Sequence, residues 1–208
     1  MKKTGIATLL AVCCVIVPFA TGQENELSGL IGRTFIENQT ILNSLSSDNG
    51  LRFGDGLSFE GNYARHFVSG ELMSLSLEIP FVVDPDEDLN AAIENKIPKQ
   101  YMSFAVTPSA RLNLFPHVAV SPWVSLGGGF VHYSASSNLF DGGKNTGNTS
   151  TTTGALQAGA GLDVKLVGNF SLRGELRDLW SGVPPLIVNT GKNRQTNLFV
   201  GGGIVWHF

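Results

Sequence analysis

The chain is poor in cysteine and in charge. Its two cysteines, Cys13 and Cys14, both lie near the amino terminus. A chain that loses this segment has no thiol, which excludes disulfides, thiolate metal sites and cysteine nucleophiles. Charged residues make up 15% of the sequence, and 17 Asp and Glu outnumber 14 Lys and Arg. Since no basic patch could follow a phosphate backbone, we expect no nucleic-acid partner.

The amino terminus predicts a cleaved signal peptide over residues 1–22. A basic start at Lys2 and Lys3 precedes an apolar run, residues 6–19, that is too short to span a bilayer as a helix, and Ala20-Thr21-Gly22 supplies small residues for cleavage. An uncleaved anchor and a lipoprotein at Cys13 are the alternatives, and both fit less well. We expect an exported chain with one domain over residues 23–208.

No later segment predicts a membrane-spanning helix. The least charged stretch, 112–140, carries Pro116, Pro122 and Gly127-Gly128-Gly129, which favour a strand, a turn and another strand. Alternation of apolar and polar residues instead predicts eight extended segments. They are 26–36, 57–67, 72–83, 100–115, 119–135, 153–167, 170–180 and 195–208. Each can cross a bilayer as a tilted strand, for which about 9–11 residues suffice.

The connections alternate between short and long. Short ones fall near 68–71, 115–117 and 167–169, and polar long ones at 37–56, 84–99, 136–152 and 181–194. Short periplasmic turns and long outer loops are typical of transmembrane barrels. We therefore predict an all-β fold, an eight-stranded antiparallel transmembrane β-barrel. Alternation alone would also fit a soluble periplasmic sandwich that binds a ligand, but the signal peptide and the terminal Phe208 favour the barrel.

The last strand carries a predicted assembly signal. Ile204, Trp206 and Phe208 share one face with Leu198 and Val200, and the chain ends on an aromatic residue. An apolar face of this kind faces lipid in a barrel, while the opposite face fills the interior.

The interior of eight strands is just wide enough for side chains to fill it. Charges placed there must pair or keep water, so we predict ion pairs and trapped waters rather than a proton or ion path. The predicted network is Glu60, Glu78, Arg111, Asp163, Lys165, Arg173, Glu175 and Arg177, with Arg33 as a further member if the ambiguous parity of the first strand allows it. Gly159, Gly161, Gly201 and Gly203 share the inward parity and would leave room for the guanidinium groups.

The sequence resembles the outer-membrane β-barrel family, in the group of small barrels of the OmpA, OmpX and OmpW types. The resemblance rests on residues 201–208, on the run 170–178 and on 123–129. It implies the outer membrane of a didermic (Gram-negative) bacterium, contact with its lipid and lipopolysaccharide, and recognition of the last strand by the barrel-assembly machinery. Members include structural anchors, surface proteins, small-solute conduits and a few enzymes.

Two motifs could carry chemistry. His132 and Ser134 resemble the His-x-Ser pair of an eight-stranded lipid A esterase, and residues i and i+2 of a strand share a face. That esterase has Asn next, where this chain has Ala135, and no matching carboxylate is evident. The run Asp84, Asp86 and Asp88 begins like a calcium loop, but Leu89 stands where Gly is needed and Asn95 where a bidentate Glu is needed.

We therefore expect no enzyme, no cofactor and no metal. An aromatic-belt role is the expectation for His132, and an acidic loop leading to a short helix with Leu89, Ala92 and Ile93 on one side is the expectation for the Asp run. Residues 145–153 predict a mobile loop. The chain is expected to be a monomer with a structural or surface-interaction role; lipid A ester hydrolysis and a narrow conduit for small solutes are the alternatives.

Overall fold

A computed structural model describes residues 25–40, 50–54, 56–87, 89–91, 97–139, 141–184 and 191–208. The predicted signal peptide lies outside the described residues. Twelve strands follow one another in the described part: β1 Asn25–Ile36, β2 Gln39–Thr40, β3 Gly50–Phe53, β4 Leu57–Ser69, β5 Met73–Glu87, β6 Leu89–Ala91, β7 Tyr101–Val106, β8 Ser109–Leu114, β9 Val120–Ala135, β10 Ser150–Lys165, β11 Phe170–Gly182 and β12 Arg194–His207.

Nine of these strands close into a barrel. Neighbours pair antiparallel in the order β1, β4, β5, β7 with β8, β9, β10, β11 and β12, and β12 returns to β1. The closing pair runs from Glu26 opposite His207 to Ile36 opposite Asn197. Main-chain hydrogen bonds of 3.0 and 2.9 Å between Asn25 and Phe208 complete this seam. Because closure pairs both edges of each of these nine strands, the described barrel wall has no free strand.

Strands β7 and β8 are two halves of one barrel strand. Both pair with β5 on one side and with β9 on the other. The break falls at Thr107 and Pro108, since proline has no N–H for the ladder. Facing the break, a Cβ on Gly127 or Gly129 would lie 2.3 Å from the Pro108 carbonyl oxygen or 2.0 Å from that of Val106. The glycines of β9 therefore let the broken strand approach, and the barrel has eight strands around its circumference.

The two ends of the barrel differ. At the end we call the turn end, β4 connects to β5, β8 to β9 and β10 to β11 within a few residues, and Gly168 takes the left-handed conformation (φ 67°) that the last of these turns requires. The opposite end is called the loop end. There β2, β3 and β6 form a separate small sheet.

Three loop predictions are wrong. Residues 84–87 continue β5 rather than forming an acidic loop, and Leu89–Ala91 pairs with β3 where the start of a helix was expected. Ala92 and Ile93 lie outside the described residues. Residues 150–153 belong to β10 rather than to a mobile loop, because pairing with β9 supplies the hydrogen bonds that their polar composition alone would not predict.

The barrel is apolar outside and polar inside. Large hydrophobic side chains stand exposed on every barrel strand, for example Ile31 at 59%, Leu126 at 66% and Leu162 at 50%, while the alternate residues point inward and are buried. This distribution is the reverse of that in a soluble protein and is typical of a wall that faces lipid. Among the described residues, no helix is long and apolar enough to cross a membrane.

Inward glycines make room for aromatic rings rather than for the guanidinium groups that we expected. A Cβ on Gly161 would lie 2.5 Å from Cζ2 of Trp123, and one on Gly201 would lie 2.4 Å from the Phe199 ring. A Cβ on Gly203 would meet the carbonyl oxygen of Gly29 at 2.0 Å. Each of these positions is therefore closed to larger residues by a rigid neighbour.

We predict that Gly161→Ala destabilises the barrel by about 1–3 kcal/mol, because the added methyl overpacks Trp123 and the neighbouring β11 backbone. Gly154→Ala is the matched control, since Gly154 lies on the same strand and a Cβ added there would meet nothing within 4 Å. Urea unfolding of the barrel in detergent measures both. Equal unfolding midpoints for the two variants would contradict the packing argument.

The barrel interior as candidate functional site

Glu26 is the centre of an ionic cluster at the turn end of the interior. Its Oε2 accepts hydrogen bonds from Arg111 and, at 3.1 Å, from Arg173. Its Oε1 lies 2.6 Å from Nε2 of His66 and 3.5 Å from Nδ1 of His207. One carboxylate thus joins side chains from four other strands across the barrel.

Asp163 completes this cluster. It takes Nε and Nη2 of Arg173 at 2.7 Å each, the bidentate geometry that gives the strongest charge-assisted pairs. The indole of Trp123 donates to the same carboxylate at 3.3 Å. Ser171 lies 3.0 Å from Nε2 of His207, and this contact orients the imidazole beside Glu26.

Arg177 is the centre of a second cluster, at mid-barrel. It donates to Glu60 at 3.2 Å, to Glu78 at 2.9 Å and to Glu175 at 3.1 Å. Arg111 lies 3.6 Å from Glu78 and so connects the two clusters. Three carboxylates around one guanidinium leave an excess of negative charge, which Arg111 partly offsets.

Trp123 packs between the three arginines. Its ring centre lies 5.7 Å from the guanidinium carbon of Arg111, 5.3 Å from that of Arg173 and 5.9 Å from that of Arg177. Cation–π attraction is strongest where water is excluded, and Trp123 is 1% exposed. The ring therefore separates the positive charges and fills the space between them.

Towards the loop end the interior becomes neutral and largely apolar. Tyr133 shares a 2.5 Å hydrogen bond with Ser181, stacks on Tyr101 at 5.7 Å between ring centres, and accepts from Asn197 at 3.2 Å. Apolar side chains pack around this group: Leu30, Ile36, Val82, Leu89, Ile97, Ala105, Val131, Ala155, Leu179 and Phe199. Sequence reasoning missed this apolar half, because short inward residues such as Val82 were masked by larger outward neighbours.

The structure buries and pairs most of the predicted network, with two exceptions. The buried members are Glu60, Glu78, Arg111, Asp163, Arg173, Glu175 and Arg177. Lys165 is exposed at the end of β10, where the strand leaves the barrel interior, and Arg33 lies on the outer face of β1 with Ile31 and Phe35. Both placements in the network were therefore wrong.

Glu26, His66 and His207 were missed by sequence reasoning. The first strand shows its parity only through Glu26, Ser28 and Thr34, which are interrupted by the inward Leu30. Once β1 is paired with β12, Glu26 stands opposite His207 and both point inward. The pairing register, rather than composition, identifies the cluster.

Asp84 lies inside the barrel. It accepts hydrogen bonds from Thr34 at 2.8 Å and from Ser103 at 3.0 Å. The side chain of Asp86 and all of Asp88 lie outside what the structure describes. Within the described residues, no group of His, Cys, Asp and Glu side chains is arranged to hold a metal ion.

His132 and Ser134 both lie on the outer face of β9, near the loop end. Nδ1 of His132 is hydrogen-bonded to the Thr152 hydroxyl at 2.8 Å, and its ring packs on Phe104 at 5.1 Å between ring centres. Thr152 therefore occupies the position where an orienting carboxylate would stand in a catalytic triad.

An apolar wall around a buried, paired ionic centre defines a class of protein, the membrane-type closed β-barrel. No family model matches the chain, and no curated protein matches it. Neisserial surface protein A is similar in structure, with a TM-score of 0.56 at 14% identity over 88% of this chain and 97% of that one.

Two barrels of Pseudomonas aeruginosa are also similar. The outer membrane protein OprG has a TM-score of 0.52 at 11% identity, over 89% of this chain and 95% of its own. The N-terminal β-barrel domain of OprF has a TM-score of 0.50 at 14% identity, over 90% and 100%. At these identities the likeness shows the fold: the chain folds as a small eight-stranded outer-membrane barrel, and the predicted fold class is confirmed.

We predict that Glu26→Gln destabilises the barrel by about 3–5 kcal/mol, because it leaves the buried Arg111 and Arg173 without their shared counter-charge. Glu37→Gln is the matched control. Glu37 follows β1 and makes an exposed 3.0 Å pair with Lys192, so its loss should cost less than about 1 kcal/mol. Urea titration in detergent compares the two, and similar midpoints would contradict a structural role for the cluster.

Proposed function

We propose that the chain is an integral outer-membrane protein of a Gram-negative bacterium, exported by a cleaved signal peptide, with a structural or surface-interaction role. The observation that carries this proposal is the inside-out polarity of the barrel. An apolar outer wall is stable only against hydrocarbon, and a paired ionic centre holds the wall in one register.

The filled interior favours a plug over a conduit. Arg111 and Arg177 have no exposed surface, and Glu78 between them is equally buried. A solute would have to displace these ion pairs and then pass the tyrosine and aliphatic layer beyond them. Moving buried charges without replacing their partners is very costly. We therefore propose that the barrel does not conduct small solutes.

The partners proposed for the barrel are lipid, lipopolysaccharide and the assembly machinery. Ile204, Trp206 and Phe208 stand exposed on the outer face of the closing strand, and the Trp206 and Phe208 rings stack at 4.6 Å between centres. This exposed aromatic end is available for recognition before the seam with β1 forms. The apolar belt would then contact lipid.

The loop end is the proposed surface for interaction outside the cell. The segment after β9 is held by main-chain bonds, including Lys99 N–H to Asn138 at 3.0 Å and Asn145 N–H to Ser137 at 2.8 Å. Asp141 accepts a 2.9 Å hydrogen bond from the Gly143 N–H and fixes a turn. These contacts support an ordered surface of polar loops, which is the part of a plugged barrel that can reach a partner.

We predict heat-modifiable migration on a gel and no conductance. The folded barrel should run differently from the boiled chain, because closure of the barrel resists detergent at room temperature. The same preparation, in planar bilayers, should show no channel steps. Recovery of the chain in the soluble fraction without detergent would contradict the membrane proposal, and reproducible single-channel steps would contradict the plug.

We further propose that the barrel is not an enzyme. Expression of the parent chain should leave the mass spectrum of lipid A unchanged, because His132 is engaged by Thr152 and not by a carboxylate. Ser134→Ala is the control. Loss of an acyl chain from lipid A with the parent chain, abolished in the Ser134→Ala variant, would overturn this proposal and support the esterase alternative.

A further inference from the structure

Charged side chains are scarce on the outer face of the barrel strands. Among the outward residues whose side chains the structure describes, Arg65 and Arg194 lie near strand ends, whereas Arg33 and Asp178 lie further along the wall. Arg33 follows the exposed Ile31 on β1, and Asp178 stands between Leu176 and Trp180 on β11. Charges on a lipid-facing wall are costly at depth, so each must gain from a contact.

Asp178 is only partly satisfied by its own chain. The Trp180 side chain hydrogen-bonds to the carboxylate. The other described feature is that Oδ1 is shielded and has no hydrogen-bond partner. A carboxylate oxygen without a donor, set in an apolar wall, calls for a donor from outside the barrel.

Arg33 and Asp178 flank one strand, β12. Arg33 stands opposite Val200 across one edge of β12, and Asp178 stands opposite Leu198 across the other. The two positions differ by one outward residue along β12. A strand tilt of roughly 35–45° offsets most of that stagger, so the two charges lie at similar depth in the wall.

The surface between them is apolar and low. Leu198 and Val200 form its centre, and Gly202 and Gly174, directly paired across β11 and β12, present no side chain beside them. A Cβ on Gly174 would meet nothing within 4 Å. A convex barrel wall can therefore be approached closely along β12.

This arrangement is complementary to itself. In a two-fold contact, the surface to one side of the axis meets the surface to the other side, so residue i contacts j and j contacts i. A second copy rotated about an axis along the membrane normal, next to Leu198 and Val200, would place its Asp178 against Arg33 and its Arg33 against Asp178. Depth is unchanged by this rotation, and both charges gain an opposite partner.

We propose that the outer face of β12, with Arg33 and Asp178 at its flanks, is the contact surface of a homodimer in the membrane. The inference goes beyond the structural role proposed above and departs from the monomer expected from sequence. Its occupant is a second copy of this chain. An anionic lipid headgroup on Arg33 alone would satisfy only one of the two charges and would leave Asp178 without a donor.

Cysteine cross-linking of the full chain in membranes tests the proposal. Leu198→Cys should give an oxidised dimer, since Leu198 lies next to the axis, and the parent chain serves as background for Cys13 and Cys14. Leu126→Cys, exposed on β9 away from β12, is the matched control and should give at least about tenfold less dimer. No dimer from Leu198→Cys, or equal yields from the two positions, overturns the proposal.

Charge reversal in the Leu198→Cys background separates a protein contact from a lipid contact. Arg33→Asp and Asp178→Arg should each lower the dimer yield by about tenfold or more, because each creates two like-charge contacts. The double reversal should restore it, since opposite charges then face each other again. Heat-modifiable migration reports that each variant is folded.

Where a reversal prevents folding, Arg33→Gln and Asp178→Asn replace it, and each should lower the yield by a smaller factor. Folded single variants with unchanged yield, or a folded double reversal that stays monomeric, overturn the proposal. Because all of these variants are first checked for heat-modifiable migration, failure of the dimer is distinguishable from failure of the barrel itself.

Discussion

The interaction on which the rest of the structure depends is the pairing of charge at the centre of the barrel. Arg111, Arg173 and Arg177 are buried in a space that no bulk water fills, and each is stable there because carboxylates from other strands meet it. An ion pair that spans the interior is sensitive to register, since a slip of one residue turns every inward side chain to the outside. The network therefore specifies which strands face each other at which height.

The wall imposes a second, opposite constraint. Its outward residues must be apolar because a lipid environment offers no hydrogen bonds, and every main-chain group must pair within the wall itself. Closure of β12 on β1 meets that requirement, and the glycines of β9 let the wall remain paired where Pro108 interrupts it. The ionic centre and the apolar wall together make a rigid cylinder whose only variable parts are at its loop end.

These constraints bear on function. A cylinder filled with ion pairs, Trp123 and a tyrosine layer is suited to holding a surface in place rather than to transport. Interactions are left to the polar loops and to the outer wall, where Arg33 and Asp178 break the apolar pattern on the two sides of β12. Departures from the pattern that the membrane requires are therefore the positions where contacts with other molecules are expected.

By itself, the sequence determined the strands and their faces. Alternation located all eight barrel strands within a few residues of their bounds, because a lipid-facing wall requires an apolar residue at every second position. It could not place Arg33, Lys165 or Glu26. Arg33 and Glu26 depend on the parity of a strand with mixed residues on both faces, and Lys165 depends on where the strand leaves the interior.

Tertiary structure alone decided which inward residues meet. Glu26 joins His66, Arg111, Arg173 and His207 only because β1 is brought between β12 and β4, and the continuation of β5 past residue 84 turned an apparent metal loop into an interior hydrogen-bond acceptor. A local pattern records which face a side chain takes, since that follows from the two-residue period of a strand. Its partners across the barrel are set by closure and register, which join residues far apart in the chain.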